Sequence, residues 1–132
     1  MSDSQDMNQD MNQDVNQDVN QDSVSLYQLG EKYNKGEGVP QDHQEAFKLF
    51  KISAEQGYSE AQSSLGIMYA EGVGVKTNYI EAIKWFISSA KQNNSNGEYN
   101  LGKMYATGSG VNYNLQEAIK WFTLSGEKGN IK

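Results

Sequence analysis

Leu65-Gly66-Ile67-Met68-Tyr69-Ala70-Glu71-Gly72-Val73-Gly74-Val75 is the middle copy of a phrase written three times. The first copy runs from Leu29 and Gly30 through Tyr33, Gly36 and Gly38 to Val39. The third runs from Leu101 and Gly102 through Tyr105, Gly108 and Gly110 to Val111. Copies are 36 residues apart, without a slip. A fixed period of this size marks a stack of small units, because one unit cannot bury its apolar face alone.

Around the phrase, helix punctuation is regular. Ser23, Ser59 and Ser95 stand at one repeat position before apolar-periodic stretches, and Gln62 and Glu98 follow the second and third three residues later. That spacing predicts capping boxes at the start of a first helix, A. Leu26 takes the partner's place in the first repeat. Gly36, Gly72 and Gly108 fall where a left-handed residue would end helix A. Asp42, Asn78 and Asn114, each with a glutamate three residues on (Glu45, Glu81, Glu117), predict the start of a second helix, B. Helix B carries Ala46, Phe47 and Phe50, then Ala82, Ile83, Trp85 and Phe86, then Ala118, Ile119, Trp121 and Phe122, on one broad face. Gly57, Asn93 and Gly129 are the expected helix B stops. The reading is all-α: six helices in three antiparallel pairs, an α-α superhelix.

The units are residues 1–22, an acidic low-complexity tail, and repeats at 23–58, 59–94 and 95–132. The tail repeats Met-Asn-Gln-Asp and Val-Asn-Gln-Asp, and its composition predicts disorder. Met7, Met11, Val15 and Val19 would nonetheless form a drifting helical stripe, which leaves open a capping or binding-induced helix. Net charge is −6 and six of the seventeen acids lie in the tail, so the repeats carry eleven acids against eleven lysines and no arginine. A neutral domain without arginine suits phosphate poorly, so no nucleic-acid partner is expected. Cysteine is absent, as are a secretory leader and any apolar run of membrane-spanning length. These features predict a soluble, intracellular and cytoplasmic protein.

The phrase and its surroundings resemble the Sel1-like repeat, a relative of the tetratricopeptide repeat. The family pattern is Ala-x-x-x-Leu-Gly-x-x-Tyr-x-x-Gly-x-Gly-Val, an Asp, Ala-x-x-Trp, and a closing small residue and Gly. Departures are mild: Ser25 and Gly97 replace the first Ala, Leu49 replaces the Trp, and Asn78 and Asn114 replace the Asp. The resemblance implies a non-catalytic adaptor or scaffold. The residues themselves add a constraint. Gly30, Gly66 and Gly102 sit inside helix A, where glycine costs about 1 kcal/mol against alanine, so close approach of another helix backbone is expected there.

No catalytic constellation emerges, and no cofactor or metal is expected. His43 is the only histidine, at the start of helix B, where solvent exposure is expected. The glycine runs lack the rest of a dinucleotide fingerprint and follow no strand. Ser88 to Lys91 and Ser125 to Lys128 match Ser-x-x-Lys. Because some secreted Sel1-like proteins have been associated with β-lactams, a β-lactam or peptidoglycan-related hydrolase is the alternative function. Those relatives carry cysteine pairs in each repeat, and companion Ser-Asp-Asn and Lys-Thr-Gly motifs are missing here.

What remains is a surface. In the tetratricopeptide fold the concave groove is lined by helix A residues between the packing positions. Counting from each Leu-Gly pair places Tyr27, Glu31 and Lys35 there, then Ser63, Ile67 and Glu71, then Tyr99, Lys103 and Thr107. These positions vary between repeats while the packing positions do not. Their mixed chemistry suits a peptide or protein partner of unknown identity. At the other end, the last helix B carries Trp121, Phe122 and Leu124 with no fourth repeat in this sequence to cover them. Self-association through that uncapped repeat is a second expectation.

Overall fold

Six helices and no strand make up the regular structure of residues 22–127, which the computed structural model describes. In chain order they are α1 (22–35), α2 (His43–Glu55), α3 (Ser59–Glu71), α4 (Tyr79–Lys91), α5 (Ser95–Thr107) and α6 (Leu115–Gly126). Odd-numbered helices are the A helices and even-numbered ones the B helices. Each packs on the next in sequence, and α3 also touches α5. The result is an all-α solenoid.

The B helices begin as expected. The side chains of Asp42, Asn78 and Asn114 accept from the backbone N–H of Glu45, Glu81 and Glu117 at 3.0, 3.1 and 3.0 Å. The reciprocal half of the capping box is replaced. The N–H groups of Asp42, Asn78 and Asn114 donate to the carbonyls of Tyr33, Tyr69 and Tyr105 at 2.9, 2.8 and 3.0 Å. The tyrosine of each phrase thus ties the end of helix A to the start of helix B through its backbone.

The A helices begin differently from the sequence expectation. Ser59 and Ser95 are the first helical residues, and the caps are Tyr58, which makes no side-chain cap bond, and Asn94, whose side chain accepts from Gly97 N–H at 3.1 Å. Gln62, read as the capping partner of Ser59, instead donates to the carbonyl of Ala54 at 3.1 Å. The serine carbonyls serve another purpose. The hydroxyls of Ser53, Ser89 and Ser125, all fully buried, donate to the carbonyls of Ser23, Ser59 and Ser95 at 2.5, 3.0 and 3.0 Å. One B-helix serine per repeat therefore clasps the first turn of its own A helix.

Helix ends follow the glycines. Gly36, Gly72 and Gly108 adopt φ of 73°, 68° and 67° and donate to the carbonyls four residues back, closing left-handed caps. Gly57 ends α2 in the same region at φ 97°, and Asn93 takes that place after α4 at φ 62°. Gly129 lies outside the described residues.

The mid-helix glycines chiefly admit a side chain, and only at Gly102 is a second helix backbone also close, the Ala118 carbonyl lying 3.2 Å from where a Cβ would be. A Cβ on Gly30, Gly66 or Gly102 would come within 2.7, 2.5 or 2.9 Å of the ring of Phe50, Phe86 or Phe122. Each ring belongs to helix B of the same repeat. Two core clusters result, one built on Phe50, Leu65 and Met68 and the other on Phe86, Leu101 and Met104. Trp85 and Trp121 pack against them from the side, as core aromatics.

Candidate functional site

The A helices lie side by side and leave two shallow depressions of about 140 Å³ each between them. The first opens between α1 and α3, where Glu31, Asn34, Ser64, Ile67 and Glu71 surround a floor that includes buried Phe50 and Met68. The second opens between α3 and α5. There Ile67, Ala70, Glu71, Asn100, Lys103 and Thr107 surround buried Phe86 and Met104. The two are related by the repeat: Phe50 and Met68 become Phe86 and Met104 one period later. Ile67 and Glu71 border both.

Five of the nine residues expected on this face line the depressions: Glu31, Ile67, Glu71, Lys103 and Thr107. The remaining four divide in two ways. Lys35 is exposed at the end of α1 and reaches Glu31 at 3.8 Å and Glu37 at 3.9 Å, ion pairs too solvated to hold it firmly. Ser63 is 3% exposed, and its hydroxyl is consumed by Ser89 Oγ at 2.7 Å and Asn94 Oδ1 at 3.2 Å, so it presents nothing to a partner. Tyr27 stacks on Phe50 at 5.5 Å and meets Tyr58 edge-on at 5.3 Å. Tyr99 packs on Phe122 at 5.5 Å with Lys103 Nζ 5.7 Å from its ring, while keeping one exposed face. The cause is helical drift. A step of four residues rotates about 40° past a full turn, so a stripe of every fourth residue leaves the face within two steps. Asn34, Ala70, Ser64 and Asn100 were missed for this reason; the i, i+3 pairing finds all four, the first two after Glu31 and Ile67 and the last two before Ile67 and Lys103.

Burial pushes the Tyr27 phenol from the ordinary 10.0 up to about 12, with the Glu31 carboxylate adding to the shift. Tyr69 is raised in the same direction, first by burial and then by Glu81. Both phenols therefore stay protonated at neutral pH.

The residues singled out for chemistry are occupied by structure. His43 is half-buried, with Nδ1 2.8 Å from Asn34 Oδ1, and not openly solvated as expected at a helix start. Ser88 donates back to the Lys84 carbonyl at 3.1 Å, an intrahelical bond. Ser125 is the buried clasp of the third repeat, and Lys128 lies outside the described residues. Both serines thus spend their hydroxyls on backbone carbonyls, and the hydrolase alternative has no support. Among the described residues no group of three or more acidic, histidine or cysteine side chains is placed to hold a metal. None of the described helices is long and apolar enough to cross a membrane.

A sequence model of the Sel1 repeat matches residues 23–58, 59–94 and 95–130. The chain belongs to the Sel1-repeat family. Two solved Sel1-type structures are 40% identical to it. One is c5321, a protective antigen present in uropathogenic Escherichia coli strains and displaying an SLR fold, with TM-score 0.79 over 82% of this chain. The other is a Sel1 repeat protein from Oxalobacter formigenes, with TM-score 0.78, also over 82% of this chain. This chain spans only 23% and 44% of those two proteins. Cysteine-rich protein B of Helicobacter pylori is similar over 88% of this chain and 92% of its own, with TM-score 0.68 and 24% identity, which shows the fold alone. No curated protein matches. Sel1 repeats are usually protein-interaction modules.

Proposed function

We propose that this Sel1-repeat chain is a non-catalytic adaptor or scaffold whose A-helix face receives an extended segment of a protein partner. The pair of repeat-related depressions carries the reading. Two equal recesses with apolar floors and polar rims, set one repeat apart, suit a peptide that places an apolar side chain in each. The rims offer Asn34, Ser64 and Asn100 as hydrogen-bonding groups for its backbone. Glu71 on α3 and Lys103 on α5 border the second recess with opposite charge, which would fix the direction of a bound segment.

Panning a random peptide library on the full chain tests this. Enriched peptides should carry two spaced apolar residues, and Ile67→Asp, which alters both recesses, should weaken their binding at least about tenfold. Lys51→Glu on α2, outside the recesses, should leave it unchanged. Peptides that bind wild type and Ile67→Asp equally well would sink the proposal.

A further inference from the structure

The stack is open at both described ends, and the ends are the two halves of a junction the chain already makes twice. At each internal junction the third glycine of the phrase seats on the first turn of the preceding B helix. A Cβ on Gly74 would collide with the His43 carbonyl, and one on Gly110 would come within 2.6 Å of the Tyr79 carbonyl. Gly38 holds the same left-handed conformation, φ 77°, yet nothing lies within 4 Å of where its Cβ would be. The residue that continues the series His43, Tyr79 is Leu115, exposed at the start of α6.

Side chains repeat the pattern. Leu65 and Leu101 are 0% and 1% exposed, while their counterpart Leu29 is 38% exposed. On the opposite face, Ile83 is 6% exposed and its counterpart Ile119 is 54% exposed. Phe47, one period before Ile83, packs edge-on against Tyr69 of the next repeat at 5.3 Å. The tyrosine equivalent to Tyr69 at the open end is Tyr33. Gly38, Leu29 and Tyr33 on α1 and its following turn thus face the repeat positions held by Leu115 and Ile119 on α6. Trp121, Phe122 and Leu124, expected to stay uncovered in part, are each partly buried, and Leu115 and Ile119, not singled out from the sequence, are the most open apolar residues of α6.

We propose that the occupant of each end is a second copy of this chain, joined head to tail: α6 of one copy takes α1 of the next, with Gly38 seated on the Leu115 carbonyl and Leu29 and Tyr33 packed against Ile119. The internal junctions are the argument, because they supply a template for these glycine and apolar positions in this register. Such a contact is heterologous, so it propagates instead of closing on itself as a two-fold dimer would. It uses surfaces away from the A-helix depressions and stands or falls separately from the peptide-binding reading.

The test is light scattering on the full chain from low to high micromolar concentration. The wild-type mass should climb past that of a dimer. Leu29→Asp alone and Ile119→Asp alone should each stay monomeric, since each loses one half of the junction. An equimolar mixture should then form dimers and nothing larger, through the one junction left intact. Leu115→Lys provides a second variant at the α6 end, at an exposed position, and circular dichroism checks that all three variants keep their helices. A wild type that stays monomeric throughout, with its α1 face covered by residues 1–21 or left bare, overturns the proposal. So does a dimer that persists in Leu29→Asp, which would mark an α6-to-α6 contact.

Discussion

The ring of Phe86 fills the space that a side chain on Gly66 would need: a Cβ there would lie 2.5 Å from ring atom Cε1. Helix propensity favours alanine at Gly66 by about 1 kcal/mol, whereas forcing a methyl into a packed core costs about 1–3 kcal/mol. The second effect should win. Gly66→Ala is expected to lower the urea midpoint, with a net loss of up to about 2 kcal/mol. Adding Phe86→Leu should recover part of the loss. A raised midpoint in the single variant would show that the ring yields freely.

The buried hydroxyls form a coupled set. Ser89 Oγ meets both the Ser59 carbonyl and Ser63 Oγ, and Ser63 also reaches Asn94, which in turn holds Ser59 and Glu60 across the junction. Ser89→Ala should cost about 1–3 kcal/mol, because the remaining groups are buried with fewer partners. Ser63→Ala in addition should cost less than it does alone. A double-mutant cycle by chemical denaturation measures that coupling, and strict additivity would argue against a shared network.

Asn93 is the one non-glycine residue with positive φ among the described residues, at 62°. A left-handed backbone costs an ordinary L-residue about 1–2 kcal/mol, and Asn somewhat less. Asn93→Gly is therefore expected to raise the thermal midpoint slightly, and Asn93→Ala to lower it. The two shifts should have opposite signs in calorimetry.

Stability should fall in alkali through Tyr27. Its folded pKa of about 12 lies above the unfolded value near 10.0, so the folded state keeps a proton that the unfolded chain releases. That contribution is complete below the unfolded value and is lost as pH rises through the folded one. Tyr27→Phe removes the ionisation and should flatten part of the fall in unfolding free energy over this window. Identical pH profiles for the two proteins would mean that Tyr27 is not held in the environment its contacts imply.

Some of this was written in the sequence outright. The period, the Asx caps of the B helices, the left-handed stops at Gly36, Gly72 and Gly108, and Asn93 as a substitute for glycine all depend on local backbone chemistry. Local chemistry is legible because it involves residues at most a turn apart. The family resemblance followed from the same letters. What the phrase could not declare was who its distant partners are. Only the packed stack shows that Gly66 makes room for a phenylalanine twenty residues later, and that Gly74 makes room for the carbonyl of a previous repeat. Only it shows Ser63 turned inward while Tyr27 and Tyr99, at the same repeat position, lie on aromatic rings. Burial at a repeat position is set by the neighbouring unit. Leu29, Leu65 and Leu101 therefore carry one letter and meet different surroundings, because among the described residues two of them pack on a preceding repeat and Leu29 is 38% exposed.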